Sequence, residues 1–253
     1  MFKNRRRKKL ASQPFPSEWL GILVKNVPLY RSLPEADRAE LRRHTQIFLA
    51  EKRFEGCGGL EITDEVRVTI AVQACVLLLH RETDYYPGLS TILVYPRSYV
   101  ADNARRFVGG MIVEGQDVRL GESWHHGSVV LSWQDVRRGA ANVRDGHNVV
   151  FHEFAHQLDS TWGKGDSTPV LRDNASFLAW AQALGQDFEQ FRREAERQRP
   201  EVLDDYGATE PAEFFAVATE TFFEKPRQLQ REHARVYQEL RGFYGLDPVT
   251  WTG

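Results

Sequence analysis

Cysteine is scarce in this chain of 253 residues, which carries only Cys57 and Cys75. Two thiols cannot build the disulfide framework of a small secreted protein, and a cysteine zinc site needs more of them, so both are expected as free thiols. Long apolar runs are missing as well. No stretch approaches the length of a membrane span, and the first residues lack the apolar segment of a secretory signal, so no membrane partner is expected and the expected location is the cytoplasm. Charge of one sign is nearly absent in the balance, a net −2. That near-neutrality hides one basic cluster, Lys3, Arg5, Arg6, Arg7, Lys8 and Lys9, without which the net charge would be −8. Such a run reads as a solvated, disordered tail over residues 1–10, and direct nucleic-acid binding is not expected. Internal repeats are lacking. Gly56, Gly58 and Gly59 mark a turn, because a phosphate loop would need a lysine and a preceding strand.

With 42% hydrophobic and 27% charged positions, the chain can bury a substantial core. One domain over residues 11–253 is expected, with a helical N-terminal lobe at about 11–90 and a catalytic core at about 91–253. Ser32 and Glu35 form a capping box for a helix reaching about Ala50, and a second helix is expected from Thr63 to about His80. Strand-like runs occupy 91–95, 107–113 and 127–133, and helical periodicity returns at 148–160, 174–198, 209–224 and 227–242. Helices, then a few strands, then helices argue for a mainly helical α+β fold with one small mixed sheet.

His152, Glu153, Phe154, Ala155 and His156 form an HExxH motif. A helix turns about 100° per residue, so the two histidines lie roughly 40° apart on one face, with Glu153 on its flank. Neutral imidazole suits zinc, and a catalytic zinc takes three protein ligands and keeps a fourth position for water. The ion lowers the pKa of that water to about 7, and a neighbouring carboxylate can take its proton. Glu153 is placed for that task. Phe151, Phe154, Ala155 and Leu158 can pack behind the metal face, so the helix reads as buried.

The third ligand is not local. A metzincin would place a histidine a few residues after the motif, but Gln157, Leu158, Asp159, Ser160, Thr161 and Trp162 follow instead. A glutamate from a later helix is the remaining common option. In the segment 209–220, Pro211 belongs near a helix start, with Thr209 as its cap. Glu213, Ala216, Val217 and Glu220 then share one face. Glu213 is the preferred ligand, and Glu220 is either the fallback or a carboxylate that orients a ligand. Asp159 lies on the same side of the helix as both histidines and could accept a proton from the free nitrogen of one. His125 and His126 read as surface or cleft-rim residues.

The stretch HEFAHQLD (152–159), with YGATEPAEFFAV (206–217), resembles the Mlc titration factor A family of bacterial zinc metallopeptidases, gluzincins related in their catalytic core to anthrax lethal factor. The likeness runs from about Trp19 to about Pro248 and includes LVYP (93–96) and GESWHHGSVVLSW (121–133). It implies a zincin-like metallopeptidase fold with one zinc ion per chain held by His152, His156 and Glu213. It also implies Glu153 as general base and Tyr206 as the donor that stabilises the oxyanion, a role a protonated phenol can fill. The resemblance further implies peptide substrates, activity of the aminopeptidase type, and binding of the glucose-responsive repressor Mlc, which controls sugar-uptake genes. By the same analogy, residues 127–133 would be the sheet edge along which a peptide lies. The alternative reading is a non-catalytic protein with structural zinc that sequesters a repressor.

Overall fold

The computed structural model describes residues 2–97, 100–101, 105–108, 111–114, 127–160, 174–196 and 202–251. Helices α1 (Phe2–Ala11), α2 (Ser17–Asn26), α3 (Leu29–Ser32) and α4 (Glu35–Glu51) lead to strand β1 (Arg53–Gly56) and helix α5 (Asp64–Val76). Strands β2 (Thr91–Tyr95), β3 (Val100–Ala101), β4 (Arg105–Val108), β5 (Met111–Glu114) and β6 (Ser128–Ser132) follow. The chain continues through α6 (Trp133–Ala141), α7 (Val149–Ser160), α8 (Asn174–Ala195), a 3-10 turn (Asp205–Ala208), α9 (Pro211–Glu224), α10 (Pro226–Glu232) and α11 (Ala234–Tyr244). This is the expected mainly helical α+β class.

Helix α5 is the axis of the core. Thr63 opens it by accepting a hydrogen bond from the Val66 amide at 3.4 Å, and every residue from Val68 to Leu79 is buried. Beyond its first turn α5 has no solvent face, and it packs on α2, α4, α6 and α7. It ends at Val76, short of the expected His80, where a left-handed backbone (φ 58°) turns the chain away.

The sheet differs from the expected single mixed one. Strands β1, β2 and β6 lie in that order and are all parallel, while β3, β4 and β5 form a separate antiparallel sheet. Parallel neighbours need a crossover, and α5 supplies the one between β1 and β2. Alternation does the rest: Ile92, Val94, Val129 and Leu131 are buried, and the register sets Ile92 beside Val129 and Val94 beside Leu131. β1 carries only one large apolar residue, Phe54, and so gives no alternating signal. The expected strand at 107–113 is divided between β4 and β5, which pair with each other.

Several helix boundaries also move. Ser32 does not cap α4. Its hydroxyl donates to the Leu29 carbonyl at 2.8 Å, closing α3, and α4 starts behind Pro34. The helix expected at 227–242 is broken at His233, whose φ of −130° and ψ of 60° leave the helical basin. Helix α6 was not anticipated, although its signal is present: Ser132 accepts from the Asp135 amide at 3.3 Å, the opening half of a capping box.

The basic stretch is no disordered tail. It forms α1, packed on α4. Arg7 explains this: its guanidinium forks onto Glu51 with two bonds of 2.7 Å, donates to Asp84 at 2.6 Å, and stacks on the Tyr85 ring at 4.5 Å. Lys3 also reaches Asp84, at 2.8 Å. These carboxylates come from the end of α4 and the loop before β2, so sequence proximity could not reveal them. Arg7→Ala should cost about 2 kcal/mol, since hydrogen bonds to charged groups are among the stronger ones. Urea unfolding of the metal-free protein measures it, and a change within about 0.5 kcal/mol would restore the solvated tail.

Candidate metal centre

Asn148 opens helix α7. It is buried, and its Oδ1 accepts hydrogen bonds from the amides of Val150 and Phe151, both at 3.1 Å, satisfying two donors that a helix start leaves unpaired. Behind the helix, Phe151, Phe154, Ala155 and Leu158 are buried as their spacing suggested. Phe154 meets Phe48 and Tyr86 with ring centroids at 5.7 and 4.9 Å. That packing leaves His152 and His156, one turn apart, facing α9.

Helix α9 starts with Pro211 in its first turn, as expected, but Thr209 does not cap it: its hydroxyl donates to the Tyr206 carbonyl at 2.8 Å. From Glu213 to Glu224 every residue is buried. The carboxylates at 213, 220 and 224 therefore need partners, and α7 with the residues just before it provides them.

Glu213 meets both histidines. Its Oε2 lies 3.1 Å from His152 Nε2 and 3.4 Å from His156 Nε2, and the two nitrogens are 3.2 Å apart. Donors around a tetrahedral zinc with bonds of about 2.0–2.1 Å sit about 3.3 Å from one another. The triangle therefore has the dimensions of one face of a zinc site, and its donor set, two imidazoles and a carboxylate, suits that ion. Burial pushes the Glu213 carboxyl up, but hydrogen bonds from His152 and His156 reverse this and hold it down at about 2. Burial opposes charge on His152 too. The Glu220 charge and hydrogen bonds to Glu213 and Glu220 outweigh it and raise that imidazole well above its usual range.

Glu220 takes the other nitrogen of His152, with Oε1 2.7 Å from Nδ1. Since a carboxylate only accepts, Nδ1 carries the proton and Nε2 faces the triangle. It is thus Glu220, and not Asp159, that holds the free nitrogen of His152. Asp159 is half-buried, and burial raises its pKa against the pull of His156.

Glu153 sits differently. Burial pushes its carboxyl up to about 8, and its Oε1 has no hydrogen-bond partner among the described residues. An orphaned buried oxygen in such a place calls for a role. Tyr206 lies in the 3-10 turn, where Asp204 accepts from its amide at 2.8 Å. Its ring is 6.2 Å from that of His152. Burial raises the phenol pKa, so it remains a donor. Gly207 brings the turn against α9: a Cβ there would stand 3.2 Å from Val217. A cavity of ≈ 390 Å³ is lined by His152, Tyr206 and Val217, together with Arg138, Asp135 and Asp204.

The fold thus brings His152, Glu153, His156, Tyr206, Glu213 and Glu220 together, while His125 and His126 lie outside the described residues. Sequence reasoning passed over Asn148 and Glu224, although an asparagine immediately before an apolar helix is an N-cap signal.

A buried helix with two histidines and a carboxylate, completed by a glutamate from a second helix, is the arrangement of a metallopeptidase. The family model described as glucose-regulated metallo-peptidase M90 matches residues 1–245, and the chain belongs to that family. An uncharacterized protein of Synechocystis sp. is 42% identical over 245 residues, covering 96% of this chain and 89% of that one. The Mlc titration factor A of Serratia proteamaculans is 32% identical, covering 92% and 88% of the two chains. That of Yersinia enterocolitica is 30% identical, covering 92% and 86%. The family resemblance read from the motifs agrees with these matches.

Proposed function

We propose that the protein is a zinc-dependent peptidase, with His152, His156 and Glu213 as metal ligands. The donor triangle of 3.1, 3.2 and 3.4 Å is the observation that carries this reading. A zinc ion bound there supplies a Lewis acid that polarises the scissile carbonyl and lowers the pKa of a water to about 7. Glu153 takes the proton of the attacking water and returns it to the leaving amine. Tyr206 donates its hydrogen bond to the oxygen on which charge develops. Glu220 holds His152 in the tautomer that turns Nε2 toward the metal.

Strand β6 has β2 as its sheet partner on one side and no strand on the other among the described residues, which leaves backbone groups for an extended peptide. We assign the activity to the aminopeptidase type, as the family resemblance implies. No helix among the described residues is long and apolar enough to cross a membrane, and we place the activity in the cytoplasm.

Chelation is the test. Stripping the metal should abolish hydrolysis of aminoacyl p-nitroanilides, and one equivalent of zinc per chain should restore it. Activity that survives chelation, or a zinc-loaded protein that cleaves no peptide, would overturn the reading. Tyr206→Phe should lower kcat by about 10²–10³ with zinc content unchanged. A second reading, binding of an Mlc-like repressor, is supported by the name of the relatives at 30–32% identity. Repressor capture by a zinc-loaded protein that cleaves nothing would favour that alternative.

A further inference from the structure

Among the described residues beside the metal triangle, Asn148 is bonded through every polar atom it has. Its Oδ1 caps α7 through the amides of Val150 and Phe151, and its Nδ2 donates to Gln73 on α5 at 3.0 Å and to Glu224 on α9 at 3.1 Å. Its backbone amide donates to Glu220 Oε2, and its carbonyl accepts from the His152 amide at 2.9 Å. An asparagine side chain offers two donor hydrogens and an acceptor oxygen with two lone pairs, and here all four places are filled. Glu224 completes the clamp by accepting from the Gly146 amide at 3.0 Å. Helix α6 presses on the same point through Gly139, where a Cβ would stand 3.0 Å from Asn148 Cα.

We propose that Asn148 is a positioning residue that sets the register of the histidine-bearing helix against the helix carrying the third metal ligand. The proposal rests on the metallopeptidase reading of the site. Glu220 and Glu224 are one turn apart on α9, and Glu213 lies two turns before Glu220 on the same face. Asn148 is likewise one turn before His152. Both helices are therefore pinned at one end of their contact, and the donor triangle forms at the other. A slip of one residue along either helix is a shift of about 1.5 Å with a rotation of about 100°, enough to take Glu213 away from both imidazoles. An ordinary N-cap would need only Oδ1. The amide donors to Gln73 and Glu224 and the backbone bond to Glu220 go beyond capping.

Serine separates the two roles, because its hydroxyl can cap α7 without charge but cannot bond Gln73 and Glu224 together. Asn148→Ser should weaken zinc binding about 10–100-fold, the range seen when groups supporting a metal ligand are lost. Competition with a chromophoric chelator measures this, and the visible spectrum of the cobalt-loaded protein should shift with the altered ligand geometry. The metal-free Asn148→Ser protein should melt closer to wild type than Asn148→Ala, which loses the cap as well. A wild-type zinc affinity and cobalt spectrum in Asn148→Ser would overturn the proposal and leave Asn148 a helix cap. Should that variant fail to fold, Gln73→Met removes one clamp partner away from the metal. About fivefold weaker zinc is then expected, the equivalent of one hydrogen bond, and an unchanged affinity would overturn the proposal. A wild-type protein that binds no zinc would instead remove the metallopeptidase reading itself.

Discussion

Glu153→Gln is expected to lower kcat for peptide hydrolysis by about 10²–10⁴, the usual contribution of a positioned general base, while zinc content stays at the wild-type level. Glutamine keeps the size and shape of the side chain but cannot take a proton. Glu153 Oε1 has no hydrogen-bond partner among the described residues, so the exchange breaks no bond on that oxygen that would disturb the metal ligands. Metal content by mass spectrometry and steady-state kinetics on the same sample separate the two effects. Equal cleavage by both proteins would mean that the proton passes through another group. A second consequence follows from burial. The folded carboxyl titrates near 8 against an ordinary value of 4.5, so in the metal-free protein its ionisation costs stability. That cost is absent below pH 4.5, grows as pH rises, and is complete above about pH 8. The metal-free variant should therefore gain thermal stability relative to wild type over this interval, with the gain levelling off at higher pH.

Glu213→Gln is expected to strip the site. Loss of a group that merely supports a ligand weakens metal binding about 10–100-fold, so loss of an anionic ligand should exceed about 100-fold. Dialysis against a chelator followed by metal analysis should find zinc in the wild type and none in the variant. In the metal-free protein the same carboxylate stabilises the fold through His152 and His156, with its pKa lowered from 4.5 to about 2. This stabilisation is present above pH 4.5 and is lost as pH falls toward 2. The variant should accordingly melt below wild type near neutrality. Full zinc occupancy in Glu213→Gln would place the third ligand elsewhere. Glu220 is a poor substitute, because its two oxygens already hold His152 Nδ1 and the Asn148 amide.

Much of the architecture near the site could be read locally. The spacing of His152 and His156 follows from the pitch of any helix, and the apolar residues behind them identified a buried one. Pro211 marked the start of α9, and alternation located β2 and β6. Elements with weak local signals were missed or misread. β1 has a single large apolar residue, and α1 is held by Glu51 and Asp84, which lie 44 and 77 residues from Arg7 along the chain. The break at His233 falls inside a stretch whose periodicity runs through it.

The site divides along the same line. Sequence alone determined that two imidazoles and a carboxylate stand on one helical turn, because helix geometry is set by the backbone and is the same wherever the helix packs. It also confined the third donor to one face of α9, where Glu213 and Glu220 recur two turns apart. It preferred Glu213 and kept Glu220 as the fallback, since both lie on that face. Tertiary packing separates the two, placing Glu213 Oε2 within 3.4 Å of both Nε2 atoms and Glu220 on the opposite nitrogen of His152. The physical reason is that the relative height of two packed helices depends on buried bonds made elsewhere along their contact. Here those bonds run through Asn148, Gln73 and Glu224, far apart in sequence and joined only by the fold.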